Sequence, residues 1–238
     1  LGSGTDTDLE FAASSSVNVS TTGTGAIDLD GLGALTLSDV DTADGTITVT
    51  SGGALTVTDV ATGNNNAIAL TTSSGDITGL ATVNAGSGAV TLNAAGAIVD
   101  DSDASTVVTG GVLTADAAGA ITIDSTVTSA DISTSAAGAI ALDETDGITL
   151  TDLDTTDGSI TVSAGGALTA TDVVAGGGAG DSVTLSTTTG GAVATLVTGA
   201  DAVSITADAG DITIGAVTAT AGTLGVTATT GSINDAAD

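Results

Sequence analysis

A five-residue pattern of Gly, a small residue, an apolar residue, a polar residue and a second apolar residue returns along the whole chain. That limits it to architectures in which like stacks upon like. The pattern begins with GAIDL at 25, GALTL at 33, GTITV at 45 and GALTV at 53. Each copy reads as a short strand, with Ile27 and Leu29, or Ile47 and Val49, facing one way and the residue between them facing the other. One series starts near 25, 45, 66, 88 and 111, then 138, 158, 181, 201 and 222; its companion starts at 33, 53, 75, 96, 119, 147, 166, 191, 210 and 231. A third segment usually follows: Asp39 to Thr42, Asp59 to Thr62, Asp152 to Thr155 and Asp172 to Ala175.

Similarity runs between positions one period apart and not between neighbours in sequence, as a stack of hairpins would require. Strands one period apart are therefore expected to pair in parallel, about 4.8 Å apart. The predicted fold is all-β, a parallel β-helix or β-solenoid of about eleven coils of roughly 20–23 residues, with three short strands per coil. Residues 1–238 read as one continuous solenoid segment, a rod on the order of 50 Å long. Superimposed on the short repeat, residues 27–60 match 140–173 without a gap, with about 20 of 34 positions identical at a spacing of 113. The long interval between 119 and 138 and the run Gly176 to Gly180 are the expected places for loops that leave the regular path. Neither end carries a polar cap, and GSINDAAD at 231 is similar to GAIVDDSDAS at 96, which another coil follows. The expectation is a segment of a longer chain, or a subunit that stacks end to end.

Composition narrows the function. The chain has 29 Asp and Glu, no Lys, Arg or His, no Cys, Pro, Trp or Tyr, and one Phe. At 41% hydrophobic with regular spacing it is not a disordered polyanion. An interior of Ile, Leu, Val and Ala suits a narrow solenoid, where small branched side chains stack rung upon rung. A net charge of −29 argues against nucleic acid and against anionic membranes as partners, and no apolar run is long enough for a spanning helix. The absence of Lys and Arg leaves no trypsin site, an advantage for a chain exposed to proteases.

The repeats GTITVTSGGALTVTDV, GSITVSAGGALTATDV and GAIVDDSDASTVVTGGVLTADAAGAITI resemble those of filamentous haemagglutinin-type adhesins and related giant bacterial surface proteins, over nearly the whole chain. The resemblance implies a right-handed parallel β-helix, export to the bacterial cell surface, and a role as an extracellular stalk or fibre. Two functions are consistent with it: a structural filament that self-associates end to end or continues along the same chain, and an adhesin passenger region that attaches to a host or cell-surface ligand.

Catalysis is not expected, because His, Cys, Lys, Arg and Tyr are all missing and only carboxylates remain to move protons. Those carboxylates are the candidate site. Asp39, Asp41 and Asp44 in DVDTADG, and Asp152, Asp154 and Asp157 in DLDTTDG, gather acids on short turns. Asp59 and Asp172 occupy the positions of Asp39 and Asp152 one coil on, so like charges are expected about 5 Å apart. Calcium is the candidate cofactor, with oxygen ligands from these eight residues. The competing reading is that Asp-Gly at 44, 146 and 157 is turn chemistry and the other acids form a solvated face; Asp100, Asp101 and Asp103 carry the same two readings. A column of Thr36, Thr56, Thr78, Thr122, Thr149, Thr169 and Thr213, interrupted at Val99, Ala194 and Asn234, raises ice binding as a minor alternative to plain β-propensity.

Overall fold

The structure, a computed structural model, describes residues 9–11, 15–103 and 108–236. Every regular element among the described residues is a β-strand, and every strand pair whose register is resolved is parallel. The chain is a parallel β-solenoid of about eleven turns. It forms two compact units, Leu1–Thr114 and Ala115–Asp238.

In the Leu1–Thr114 unit three ladders run from coil to coil. Ile27 pairs with Ile47, Ile47 with Ile68, and Ile68 with Val90. Leu35, Leu55, Ile77 and Ile98 form the second ladder; Val40, Val60, Val83 and Val108 form the third. All of these side chains are buried, so the interior is a set of aliphatic columns, each side chain worth about 1.5–3 kcal/mol of burial. The period-two pattern explains the direction: in Ile47–Ser51 the residues alternate inward and outward without a break.

The Ala115–Asp238 unit repeats the plan with the columns Ile121, Ile140, Ile160, Val183, Val203, Leu224; Ile148, Leu168, Ala192, Ile212, Ile233; and Ile132, Leu153, Val173, Val197, Val217. Here two expectations need correction. No loop separates 119 from 138, because Ile121–Ala137 is a single 17-residue strand. Its first half pairs with Ile140–Glu144, so the segment at 119, counted as the companion series, stacks on the segment at 138, counted as the first. The interval of 19 between Ile121 and Ile140 is an ordinary coil, and the apparent extra length was a change of phase between two motifs that look alike. The Gly-rich run behaves as expected: between the strands ending at Ala175 and starting at Val183 the chain is a turn, with Gly177 and Gly180 at positive φ.

The second and third strands of a coil are often one. Leu35–Thr42, Ile148–Asp157 and Leu168–Ala175 each continue around a corner where two consecutive residues face outward: Ser38–Asp39, Thr151–Asp152 and Thr171–Asp172. A one-residue offset in alternation turns the strand without a loop. The next corner is built differently. Thr42 and Thr155 point inward, and each hydroxyl donates to a carbonyl three residues on, Gly45 O and Gly158 O, both at 2.5 Å. Buried hydroxyls are thus satisfied locally, and the backbone is folded over them. At Gly45 and Gly158 a Cβ would collide with the backbone oxygen of Gly25 and Gly138 on the neighbouring coil, which accounts for the Asp-Gly step at this place.

Candidate functional site

The outward corner positions bring most of the sequence-predicted acids together. In the Leu1–Thr114 unit, the Val40–Val60 register places Asp39 and Asp59 at the same corner of consecutive coils, and Asn18 Nδ2 donates to Asp39 Oδ2 at 3.1 Å. Burial, then a hydrogen bond and the charge of Asp39, then the charge of Asp59 push the Asp41 carboxyl above its ordinary pKa. Asp59 is raised by burial and by Asp39. Asp44 stands apart from this set: its Oδ1 accepts from Asn66 Nδ2 at 3.1 Å, across one coil.

The Ala115–Asp238 unit carries a longer version. Asp131 pairs directly with Asp152, and the Leu153–Val173 register sets Asp172 on the next rung. Burial raises the Asp131 pKa first, with the charges of Asp152 and Asp116 added; Asp154 is raised by burial and then by Asp152, Asp172 and Asp131. Asp172 Oδ1 is shut off from solvent and has no hydrogen-bond partner. Asp157 lies elsewhere: a side chain at Gly177 would run into both its carboxylate and that of Asp181. Asp131 and Asp116 were not among the predicted residues. The signal was present in the repeat, but the misphased coil at 119–138 hid which rung Asp131 occupies.

The third acidic cluster is turn chemistry. Asp100 Oδ2 accepts from Ser102 N at 3.0 Å and Asp101 Oδ1 from Asp103 N at 2.9 Å, the side-chain-to-backbone bonds that tighten a bend. Among the described residues no group of three or more acids converges in the arrangement of a metal site. The acids form ladders of neighbours that repel, with no basic side chain anywhere in the chain to offset them.

The Thr column is shorter than expected. Thr36, Thr56 and Thr78 stack in one unit and end on Val99. In the other unit Thr149 and Thr169 lead to Val193, not Ala194, which is buried, and the ladder goes on to Thr213 and Asn234 as expected; Thr122 pairs with Ala141 and lies on a different ladder.

One acid points into the interior and not to a corner. Glu144 is 1% exposed, inside the solenoid of the Ala115–Asp238 unit. Its Oε2 accepts from Ser125 Oγ at 2.6 Å, both oxygens lie 3.1–3.2 Å from Val127 N, and Oε1 lies 3.3 Å from Asp146 N. Burial dominates these contacts and raises its pKa to about 7. The parity of IALDE, in which Ile140, Leu142 and Glu144 share a face, was the signal that could have found it.

Fold and surface together define a parallel β-solenoid repeat protein with acidic corner ladders. Compared with protein-family models, with curated proteins and with solved structures, the chain matches none of them.

Proposed function

We propose that this chain is a structural element of an extracellular fibre or stalk, of the filamentous haemagglutinin-like kind found on bacterial surfaces. The observation that carries this reading is the repetition of one coil plan. The block 27–60 and the block 140–173 adopt the same three registers, Ile27–Ile47 with Ile140–Ile160, Leu35–Leu55 with Ile148–Leu168, and Val40–Val60 with Leu153–Val173. Such an architecture lengthens by duplication of coils without a change in cross-section, which is what a spacer or filament needs. End-to-end association of copies, or continuation along one chain, supplies the length. Electron microscopy of the purified chain tests the filament form: unbranched filaments of uniform width are expected, and short separate particles at all concentrations would count against it.

A second reading, an adhesin passenger region stabilised by calcium, is favoured by the ladder of Asp131, Asp152, Asp154 and Asp172 and by the orphaned Asp172 Oδ1. The corner acids Asp39, Asp41 and Asp59 form its smaller counterpart. Carboxylate rungs of this kind are relieved by a divalent cation more than by screening alone. Melting in millimolar CaCl2 against NaCl of equal ionic strength decides it: a clear extra rise in Tm with calcium supports the reading, and equal curves remove it.

A further inference from the structure

The corner ladders lie on the outward side of the coils, half-buried or exposed, where salt reaches their mutual repulsion; Glu144 points inward. It sits at an inward rung of the strand Ile140–Glu144, paired through the backbone with Ser125 before it and Ala164 after it. Ser125 is completely buried, Val127 nearly so. The carboxyl therefore stands in an inward column of small residues, between Ser125 and Ala164, and is held by a hydroxyl and an amide of the preceding coil and by the Asp146 amide of its own turn. Two adjoining coils are closed by one ionisable group.

We propose that Glu144 is a proton-operated fastener of the Ala115–Asp238 unit: neutral, it seals the core between the Ser125–Val127 backbone and its own turn, and its ionisation loosens that seal. Burial sets the direction, against the Ser125 hydroxyl and the Val127 and Asp146 amides, which donate to the carboxyl and favour its anion. Among the described residues the preceding coil presents Ser125 and Val127, the following coil Ala164, and its own turn Asp146, the one acid in hydrogen-bonding contact with it. No Lys, Arg or His exists in the chain to stabilise an anion. A neutral Glu144 carries a proton it can share with the Asp146 side chain, which an ionised Glu144 lacks. Because burial raises the folded-state pKa from 4.5 to about 7, the contribution of Glu144 to stability is complete below pH 4.5 and is lost as pH rises through about 7. The fastener closes on mild acidification and opens toward alkaline pH.

The chain has only two glutamates, Glu10 and Glu144, so selective 13C labelling of glutamate carboxyls gives two signals in the intact protein. The Glu144 signal is expected to inflect near pH 7, and amide protection at Val127 and Thr145 to fall as it does, beyond the intrinsic pH dependence of exchange. In Glu144→Gln, which keeps an acceptor and cannot ionise, that protection becomes independent of pH. The unfolding constant of the unaltered chain, relative to the variant, rises about a hundredfold between pH 5 and 8. A Glu144 signal that titrates near 4.5, protection that stays constant through its titration, or the same pH dependence in Glu144→Gln would overturn the proposal. Should the variant not fold, titration of the unaltered chain decides alone.

Discussion

The blocks 27–60 and 140–173 use the same registers but treat one inward rung differently: Gly31 in the first, Glu144 in the second. At Gly31 there is no room for a side chain, because a Cβ would lie 2.6–2.8 Å from three carbons of Leu35. In the second block Ile148 stands where Leu35 does, and the space is given to a carboxyl with its own hydrogen-bond partners. Duplicated coils thus share what backbone pairing and aliphatic columns require, and diverge where one rung can exchange packing for a titratable group. The columns set the fold; the exceptions set how it responds to its solvent.

The largest test of that comparison is in the columns themselves. Leu37 and Leu150 are equivalent and fully buried, so Leu37→Ala and Leu150→Ala should each cost about 2–5 kcal/mol, and by similar amounts, in denaturant unfolding. A cost confined to one block would break the equivalence. Next is pH. Glu144→Gln should remove about 3 kcal/mol of stability change between pH 4.5 and 8 from the second block, while Gly31 gives the first block no counterpart. Asp41, Asp59, Asp131 and Asp154 act in the same direction, since their raised pKa values make stability fall as pH rises; burial is the larger cause, and the part that neighbouring carboxylates add should, unlike the Glu144 effect, shrink in high salt.

Smaller effects sharpen the contrast between the ladders. Asp152→Asn removes one member of a run of neighbouring acids and should stabilise by about 0.2–1 kcal/mol at low salt; Asp39→Asn, in the shorter set, should gain less and lose the Asn18 contact in its present form. Thermal melting at two salt concentrations measures both. The smallest change is expected at the outward Thr positions: Thr56→Val and Thr169→Val should each alter stability by less than about 0.5 kcal/mol.

The fold was legible in the sequence because parallel stacking writes the same residue type at the same place in each coil. The acids that meet at corners were legible for the same reason, and Asp39, Asp59, Asp152 and Asp172 lie on the expected rungs. What escaped were features the short motif does not encode. GAITI at 119 and GAIAL at 138 carry one signature, so similarity could not say which column each joins, and the misphasing hid Asp131. Corners such as Thr151–Asp152 use a shift in alternation and no turn residue, so one strand read as two. Glu144 was passed over because its charge suggested solvent, although its parity pointed inward. Asp44 and Asp157 were grouped with their neighbours by sequence, but Asn66 and the Gly177 turn hold them elsewhere.

The register of the Ile121–Ala137 strand is where this account departs furthest from the plain repeat, and a chain without cysteine allows a direct test. Thr122→Cys with Ala141→Cys places two thiols on directly paired residues of adjacent strands, at a spacing a disulfide can bridge. Rapid, near-complete oxidation of this pair in the folded chain is predicted, with no crosslink for Thr122→Cys with Thr149→Cys. Crosslinking of 122 to 149 in preference to 141 would rule out the pairing of Thr122 with Ala141.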